Sequence, residues 1–264
     1  MKLITLNTHS HKETNYEKKL DILVNLIKKE LPDVIALQEV MQTASEEKLK
    51  NQSNRVGDVS IKRDNHAYRI SNALMKKGIE YDFRWLGIKK SYDIYEEGVA
   101  LFSKHKIEKS DHFPLSSVND YNNWRTRYAL GVSIKGTLYY SLHFNWCDDK
   151  LSPFSKEWER LIYNLPNDKK IFLMGDFNFN SREENEGYTL VKDSGWLDTY
   201  NLADRKDNGI TVKGEIDGWS GDKEGKRIDY IFTNREIRVK ASQVIFNKTD
   251  NIISDHFGIL LEIN

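Results

Sequence analysis

The stretch Ile171-Phe172-Leu173-Met174-Gly175-Asp176-Phe177-Asn178 constrains the fold of this chain more than any other. Its apolar opening run reads as a buried strand. The strand stops at Gly175, and a carboxylate and a carboxamide follow two positions apart. On an extended backbone that spacing puts Asp176 and Asn178 on one face. Taken alone, the stretch is a strand running into an Asx turn, because Gly, Asp and Asn all favour turns. Its meaning changes because the same design recurs along the chain.

Residues 2–7 read as a short strand ending at Asn7. Leu20, Leu23, Val24, Ile27 and Leu31 then recur at helical spacing, and Pro32 closes that helix. Val34-Ile35-Ala36-Leu37 is a second buried strand, ending in Gln38 and Glu39. A strand–helix–strand start of this kind predicts helices layered on a sheet. Further strands are expected over 81–88, 97–103, 127–134, 138–144, 227–232, 239–246 and 257–263, and helices over 66–78, 155–165 and 187–192. Residues 41–65 are polar and aperiodic and read as a long surface loop, a candidate gate for a site. Strands outnumber helices, and no repeat or linker interrupts the chain. One domain spanning 1–264 is expected, with two packed sheets flanked by helices.

Several of these strands end in a group able to ligate metal or move protons: Asn7, Glu39, His143, Asp176 with Asn178, Asp229, and Asp255 with His256. A common rim would assemble them. Carboxylate and amide oxygens without cysteine suit a hard cation, Mg²⁺ or Mn²⁺, rather than structural zinc. Imidazoles beside it move protons near neutral pH, and an Asp next to a His fixes its tautomer. The set suits in-line attack of water on a phosphate ester, with Asp–His as base and the amide and second His as oxyanion stabilisers.

Those residues also fall into motifs. Leu6-Asn7, Leu37-Gln38-Glu39, Gly175-Asp176-Phe177-Asn178, Arg227-Ile228-Asp229-Tyr230-Ile231 and Ser254-Asp255-His256 resemble, in order, the endonuclease/exonuclease/phosphatase superfamily. The resemblance spans nearly the whole chain and implies a DNase I-like four-layered α/β sandwich. It implies Glu39 as the main metal carboxylate, with Asn7 and Asp255 nearby. It implies that Asp176 orients or deprotonates the attacking water or holds a second metal, and that Asn178 binds a phosphate oxygen. His256 is implied as the catalytic imidazole oriented by Asp229, His143 as the second active-site histidine, and Glu97 as the acid paired with His143. The runs Glu97-Gly98-Val99-Ala100, Asn123-Trp124-Arg125-Thr126-Arg127 and Ile216-Asp217-Gly218-Trp219 narrow the resemblance to an RgfB-like bacterial branch. After His143 the run Phe144-Asn145-Trp146 stands where that branch tends to have a smaller residue before Trp, which bears on pocket shape.

Substrate contacts are sought among Arg125 and Arg127, whose guanidinium forks suit phosphate, and among Trp124, Trp146 and Trp219, which could stack on a base or sugar. His9 and His11 read as solvated loop histidines. Composition bears on the partner. The 40 basic residues only match the 40 acidic ones, whereas a long nucleic-acid track calls for a basic surplus. A small or lipid-like phosphate ester is therefore favoured, with nuclease action on DNA or RNA as the alternative. A non-catalytic module on the same fold has no use for this many acids and imidazoles in register. The lone Cys147, flanked by Asp148 and Asp149 that would raise its thiol pKa, reads as a packed spectator. One cysteine fits a reducing compartment, no run reaches the ~18 apolar residues of a membrane span, and a cytoplasmic location is expected.

Overall fold

The computed structural model describes residues 1–181, 186–214 and 224–264. The chain opens with β1 (Lys2–Asn7), α1 (Tyr16–Glu30), β2 (Val34–Thr43), β3 (Arg55–Val56), α2 (His66–Met75), β4 (Asp82–Ser91) and β5 (Tyr95–Ser103). It continues through β6 (Lys109–Pro114), β7 (Tyr128–Ile134), β8 (Thr137–His143), α3 (Phe154–Asn164) and β9 (Lys170–Asp176). It closes with α4 (Glu186–Asp193), β10 (Leu197–Asp198), α5 (Thr199–Leu202), β11 (Ala203–Lys206), β12 (Asp229–Thr233), β13 (Val239–Ile245) and β14 (Gly258–Ile263). Among the described residues one sheet runs β11-β13-β14-β1-β2-β5-β4-β3 and the other β10-β12-β9-β8-β7-β6. No helix there is long and apolar enough to cross a membrane.

Alternation along the strands builds the layers. Ile171 and Leu173 of β9 join Phe154, Trp158 and Leu161 of α3 in an outer core, while Phe172 and Met174 face Leu3, Ala36, Val99 and Leu101 of the other sheet. On that sheet Ile4, Leu6, Ile35 and Leu37 point the other way, onto Leu20, Leu23, Val24 and Ile27 of α1 and Ile70 and Leu74 of α2. Three apolar seams thus separate four layers, helix, sheet, sheet, helix, as expected. Each fully buried aliphatic or aromatic side chain in them contributes about 1.5–3 kcal/mol.

Two segments depart from the sequence reading. Residues 41–65 are not a free loop: β2 continues through Thr43, and Gln42, Ile61, Lys62 and Asn65 are buried. Gln42 accepts from Lys62 N and Asn65 Nδ2, each at 2.9 Å, and donates to Ser60 O at 2.8 Å, so polar side chains here satisfy backbone instead of water. The second departure is β6, an edge strand whose Lys109, Ser110, Asp111 and His112 are exposed and show no alternation to read. The run Ile216-Asp217-Gly218-Trp219 lies outside the described residues.

Candidate active site

The face of each strand that looks across to the opposite sheet changes character at one end. On β1 the inward series is Leu3, Thr5, Asn7; on β8 it is Tyr139, Ser141, His143; on β9 it is Phe172, Met174, Asp176. Registers bring the polar ends level, with Asn7 beside Gln38, His143 beside Asp176, and Asp229 beside Asp176. The seam between the sheets therefore ends in a polar floor, opening into a cleft of about 610 Å³. Gly175 lets β9 and β8 close up there: its φ is +151°, and a Cβ would sit 1.9 Å from Leu142 O.

Asp176 is the hub of the floor. Asn7 Nδ2 donates to it at 3.1 Å and to Glu39 Oε1 at 2.9 Å, tying the two sheets together. Asp176 Oδ2 lies 3.6 Å from His143 Nε2 and 3.7 Å from His256 Nε2. His256 Nδ1 in turn meets Asp229 Oδ2 at 3.0 Å, and Asp229 is fully buried. Burial lifts the Asp176 carboxyl, which reaches about 7, with the His256 charge pulling down and Asp229 pushing up. Burial opposes protonation of His256, yet Asp229 and Asp176 together raise its pKa well above the ordinary histidine range. His143 moves the opposite way, lowered by burial and then by the charges of Arg127 and Lys89. Two histidines in one cleft are thus held in opposite charge states. Asn178 also lines the cleft, but not by strand alternation: β9 ends at Asp176, and Asn178 takes a left-handed φ of 52° while its Nδ2 donates to Phe144 O at 2.8 Å.

Glu39 enters through a bulge. The β2–β5 register shifts between Leu37 and Val40, and Glu39 itself has φ 50°. A bulge re-aims a side chain that strict alternation would send to the other face. The residues after β1 hold it in place. Ser10 Oγ donates to Glu39 O at 2.7 Å, and Thr8 Oγ1 donates to Gln38 O at 2.9 Å and Glu39 O at 3.2 Å. Glu39 shares the cleft with Asp255 and Glu97, and its carboxyl is raised first by burial, then by those two like charges. Carboxylates crowded in this way with an amide, and no thiolate among them, fit a hard divalent cation. His9 also lines the cleft instead of facing solvent: its Nδ1 lies 2.8 Å from Glu13 Oε1 and 3.7 Å from Asp255 Oδ1. His11 is stacked between Tyr16 and Tyr95, with ring centroids 4.6 Å and 5.8 Å away.

The opposite wall is basic and aromatic, and here three expectations are corrected. Glu97 does not pair with His143; its Oε1 lies 3.1 Å from Lys89 Nζ, which is buried. Arg125 does not line the cleft: its Nε bonds Asp149 Oδ2 at 2.7 Å and its guanidinium lies 4.2 Å over the Trp124 ring, so it braces that indole from behind. Phe144 packs into the core with Phe154 and Phe177 and leaves the pocket shape alone. Arg127, Trp124 and Trp146 do line the cleft, the two indoles 5.4 Å apart, whereas no residue of 41–65 does. The residues missed from sequence are Lys89 and His9. Lys89 follows an apolar run and reads as the solvated end of a strand, but the β4–β5 register shifts between Gly87 and Lys89 and turns it inward.

The family model described as Endonuclease/Exonuclease/phosphatase family matches residues 4–256. The chain belongs to the endonuclease/exonuclease/phosphatase family. Its members hydrolyse phosphoester bonds and are generally dependent on a divalent metal. A family protein from Leptotrichia buccalis is 33% identical, with TM-score 0.88 over 100% of this chain and 99% of that one. Two more distant structures share the fold. The mannosyl-6-phosphatase of Bacteroides thetaiotaomicron is 16% identical, with TM-score 0.67 over 100% of this chain and 99% of its own. D. rerio TDP2, complexed with a single-strand DNA product, is also 16% identical, with TM-score 0.67 over 100% and 98%. No curated protein sequence matches the chain.

Proposed function

We propose that this chain is a divalent-metal-dependent hydrolase of phosphate esters whose substrate is small or lipid-like. The observation that carries the reading is the connected set Asn7–Asp176–His256–Asp229, with Glu39 on the same amide, at the floor of one cleft. Glu39, with Asn7 and Asp255, would hold Mg²⁺ or Mn²⁺, whose chemistry when bound is Lewis-acid neutralisation of charge on a phosphate oxygen.

The chain's own groups divide the remaining work by charge state. His256, kept protonated by Asp229 and Asp176, donates to a phosphate oxygen and stabilises the charge that builds there. Asp176, raised to about 7, is poised to take the proton of the attacking water. This departs from the reading in which the Asp–His pair served as base and keeps one of the roles that the resemblance implies for Asp176. His143, held neutral and 3.6 Å from Asp176 on its other side, is free to hydrogen-bond the substrate, and Asn178 offers its remaining amide proton to the phosphate. The cleft volume matches that of a pocket for a small ligand. The narrower bacterial branch belongs to the same reading, through the Glu97 and Trp124–Arg127 runs.

Nuclease action is the second reading. Trp124 is 42% exposed beside Trp146, a platform on which an unpaired base could stack. The test is Mg²⁺-dependent hydrolysis of a panel of phosphate mono- and diesters, alongside single-stranded DNA and duplex DNA with and without an abasic site. His256→Ala controls for contamination. Hydrolysis that survives both EDTA and His256→Ala refutes the mechanism, and cleavage of DNA alone moves the assignment to a nuclease.

A further inference from the structure

Two cations are buried side by side in the cleft wall with one carboxylate in contact with one of them. Lys89 and Arg127 are each 6% exposed and both line the cleft. They share a single acceptor, Trp124 O, which takes Lys89 Nζ at 3.0 Å and Arg127 Nη1 at 2.6 Å. Two positive groups on one carbonyl repel each other, and burial magnifies that repulsion. Glu97 offsets one of them through its 3.1 Å contact with Lys89.

Arg127 has no carboxylate in contact, although Glu97 and Glu157 act on it from further away. Its other bond is Nη1 to Thr126 O at 3.3 Å, its Nε is buried without any partner, and it forms no ion pair among the described residues. The remaining buried carboxyl nearby, Glu157, is already committed to Asn145 N at 2.9 Å, Asn145 Nδ2 at 2.7 Å and Ser152 Oγ at 2.7 Å. A desolvated guanidinium with an unused donor and no carboxylate in contact is costly unless a ligand supplies a paired anion. Trp146, on the same wall, has a buried indole N–H that also lacks an acceptor.

This wall borders the hydrolytic floor in the same cleft. Arg127 and Lys89 bear on His143 and Glu97, while the charges that govern His256 are Asp229, Asp176 and Asp255. Arg127 stands just before β7, and β9 with Asp176 and β8 with His143 lie between it and Asp229 of β12. We propose that Arg127, with Lys89 and the Trp146 N–H, forms a second oxyanion subsite. It binds a phosphate or carboxylate group that the substrate carries in addition to its scissile phosphate. The substrate class is then a small organic phosphate with two anionic groups, its body lying along Trp124 and Trp146. Identification of the second group as part of a substrate rests on the phosphoesterase reading; the subsite itself does not.

The experiment begins with sulfate. With divalent metal removed by EDTA, the carboxylates of the floor repel an oxyanion, so calorimetric titration of the full chain with sodium sulfate reports on the Arg127 wall. One sulfate is expected to bind. Arg127→Gln is expected to weaken it by about tenfold, since hydrogen bonds to a charged group are among the stronger ones. Arg127→Lys and Trp146→Phe, which keep the charge and the ring respectively, are expected to weaken it about threefold and guard against a misfolded Arg127→Gln. Sodium acetate in place of sulfate distinguishes a carboxylate-bearing partner from a phosphate-bearing one. Absence of sulfate binding, or equal affinity in wild type and all three variants, overturns the subsite. In the Mg²⁺-loaded enzyme, a hexose bisphosphate and the matching monophosphate are then compared. Arg127→Gln is expected to raise KM for the bisphosphate about tenfold more than it raises KM for the monophosphate, and equal changes for the two esters would remove the second anionic group from the substrate. Sulfate binding through Arg127 without hydrolysis of any ester sinks the phosphoesterase reading and leaves the subsite standing.

Discussion

Replacing Asp229 by Asn isolates one charge behind the His256 imidazole. Asp229 is fully buried, with Oδ2 3.0 Å from His256 Nδ1, and its backbone N–H bonds Thr211 Oγ1 at 3.2 Å. Asn has the same shape, and its amide oxygen still accepts the Nδ1 proton, so ring orientation and tautomer persist. The lost term is electrostatic. Two unit charges about 4 Å apart in an effective dielectric of about 20 interact by about 4 kcal/mol. The neutral hydrogen bond that remains returns about 1 kcal/mol. The net loss of about 3 kcal/mol corresponds to a rate lower by about a hundredfold. Because His256 meets its greatest demand when charge builds on the phosphate, the loss is expected in kcat, with KM within about threefold of wild type. The same substitution lowers the His256 pKa, so the alkaline limb of the pH–rate profile moves to lower pH. Steady-state kinetics on a small phosphate ester across pH, with a melting curve to show that the variant folds, measures both effects. A folded Asp229→Asn enzyme with unchanged kcat and an unchanged profile would show that the charge of Asp229 is not part of the mechanism.

Glu39→Gln is expected to separate stability from activity. A carboxyl raised above its unfolded pKa by burial and like charges costs the fold stability as pH rises and it ionises. The neutral isostere should therefore melt higher than wild type in EDTA while needing at least about a hundredfold more metal for activity; a lower Tm in EDTA contradicts the crowding argument. Ser10→Ala removes the hydroxyl that donates to Glu39 O and accepts Met41 N, so it should cost about 1–2 kcal/mol in denaturant melts and raise the Mg²⁺ requirement. Away from the site, burial lowers the His66 pKa to about 3, with the His11 and Arg69 charges adding. The unfolded chain then takes up that proton first as pH falls below about 6.5, and the fold should lose about 2 kcal/mol by about pH 5. His66→Asn should flatten the decline of Tm over that interval, and equal slopes in the two proteins would exclude the histidine.

What could be read from sequence, and what could not, divides along one line: whether a residue obeys strand alternation. Asn7, His143, Asp176 and Asp229 sit two residues beyond inward-facing positions on regular strands, so period 2 alone delivers them to the same floor. Glu39 does not follow that rule. With Gln38 inward, alternation would send Glu39 outward beside Leu37, and only the left-handed bulge turns it back. The resemblance identified Glu39 because it compares motifs instead of directions. Lys89, turned by the bulge after Gly87, had neither signal and went unread. The pairing of Glu97 was misjudged for the same reason, since its partner was hidden. Residues 41–65 were misjudged because amides that bond backbone look, in sequence, like amides that face water.

The floor of the cleft draws Asn7, Glu39, Glu97 and His256 from the larger sheet or its loops, and His143, Asp176, Asn178 and Asp229 from the smaller one or its loops. Between the two halves, direct links at that level include Asn7 to Asp176 at 3.1 Å, and Gln38 Nε2 to Ser141 Oγ, Ser141 Oγ to Leu37 O and His256 Nδ1 to Asp229 Oδ2, each at 3.0 Å. Below Thr5 the seam is built of apolar side chains such as Leu3, Phe172 and Leu261, which are indifferent to a small slip. The turnover number is thus a position sensor for the two sheets. A cavity made deep in the seam, as at Met174, would register first as misaligned chemistry and only later as a lost fold. An enzyme built across a seam inherits a core whose shape is under selection through its rate.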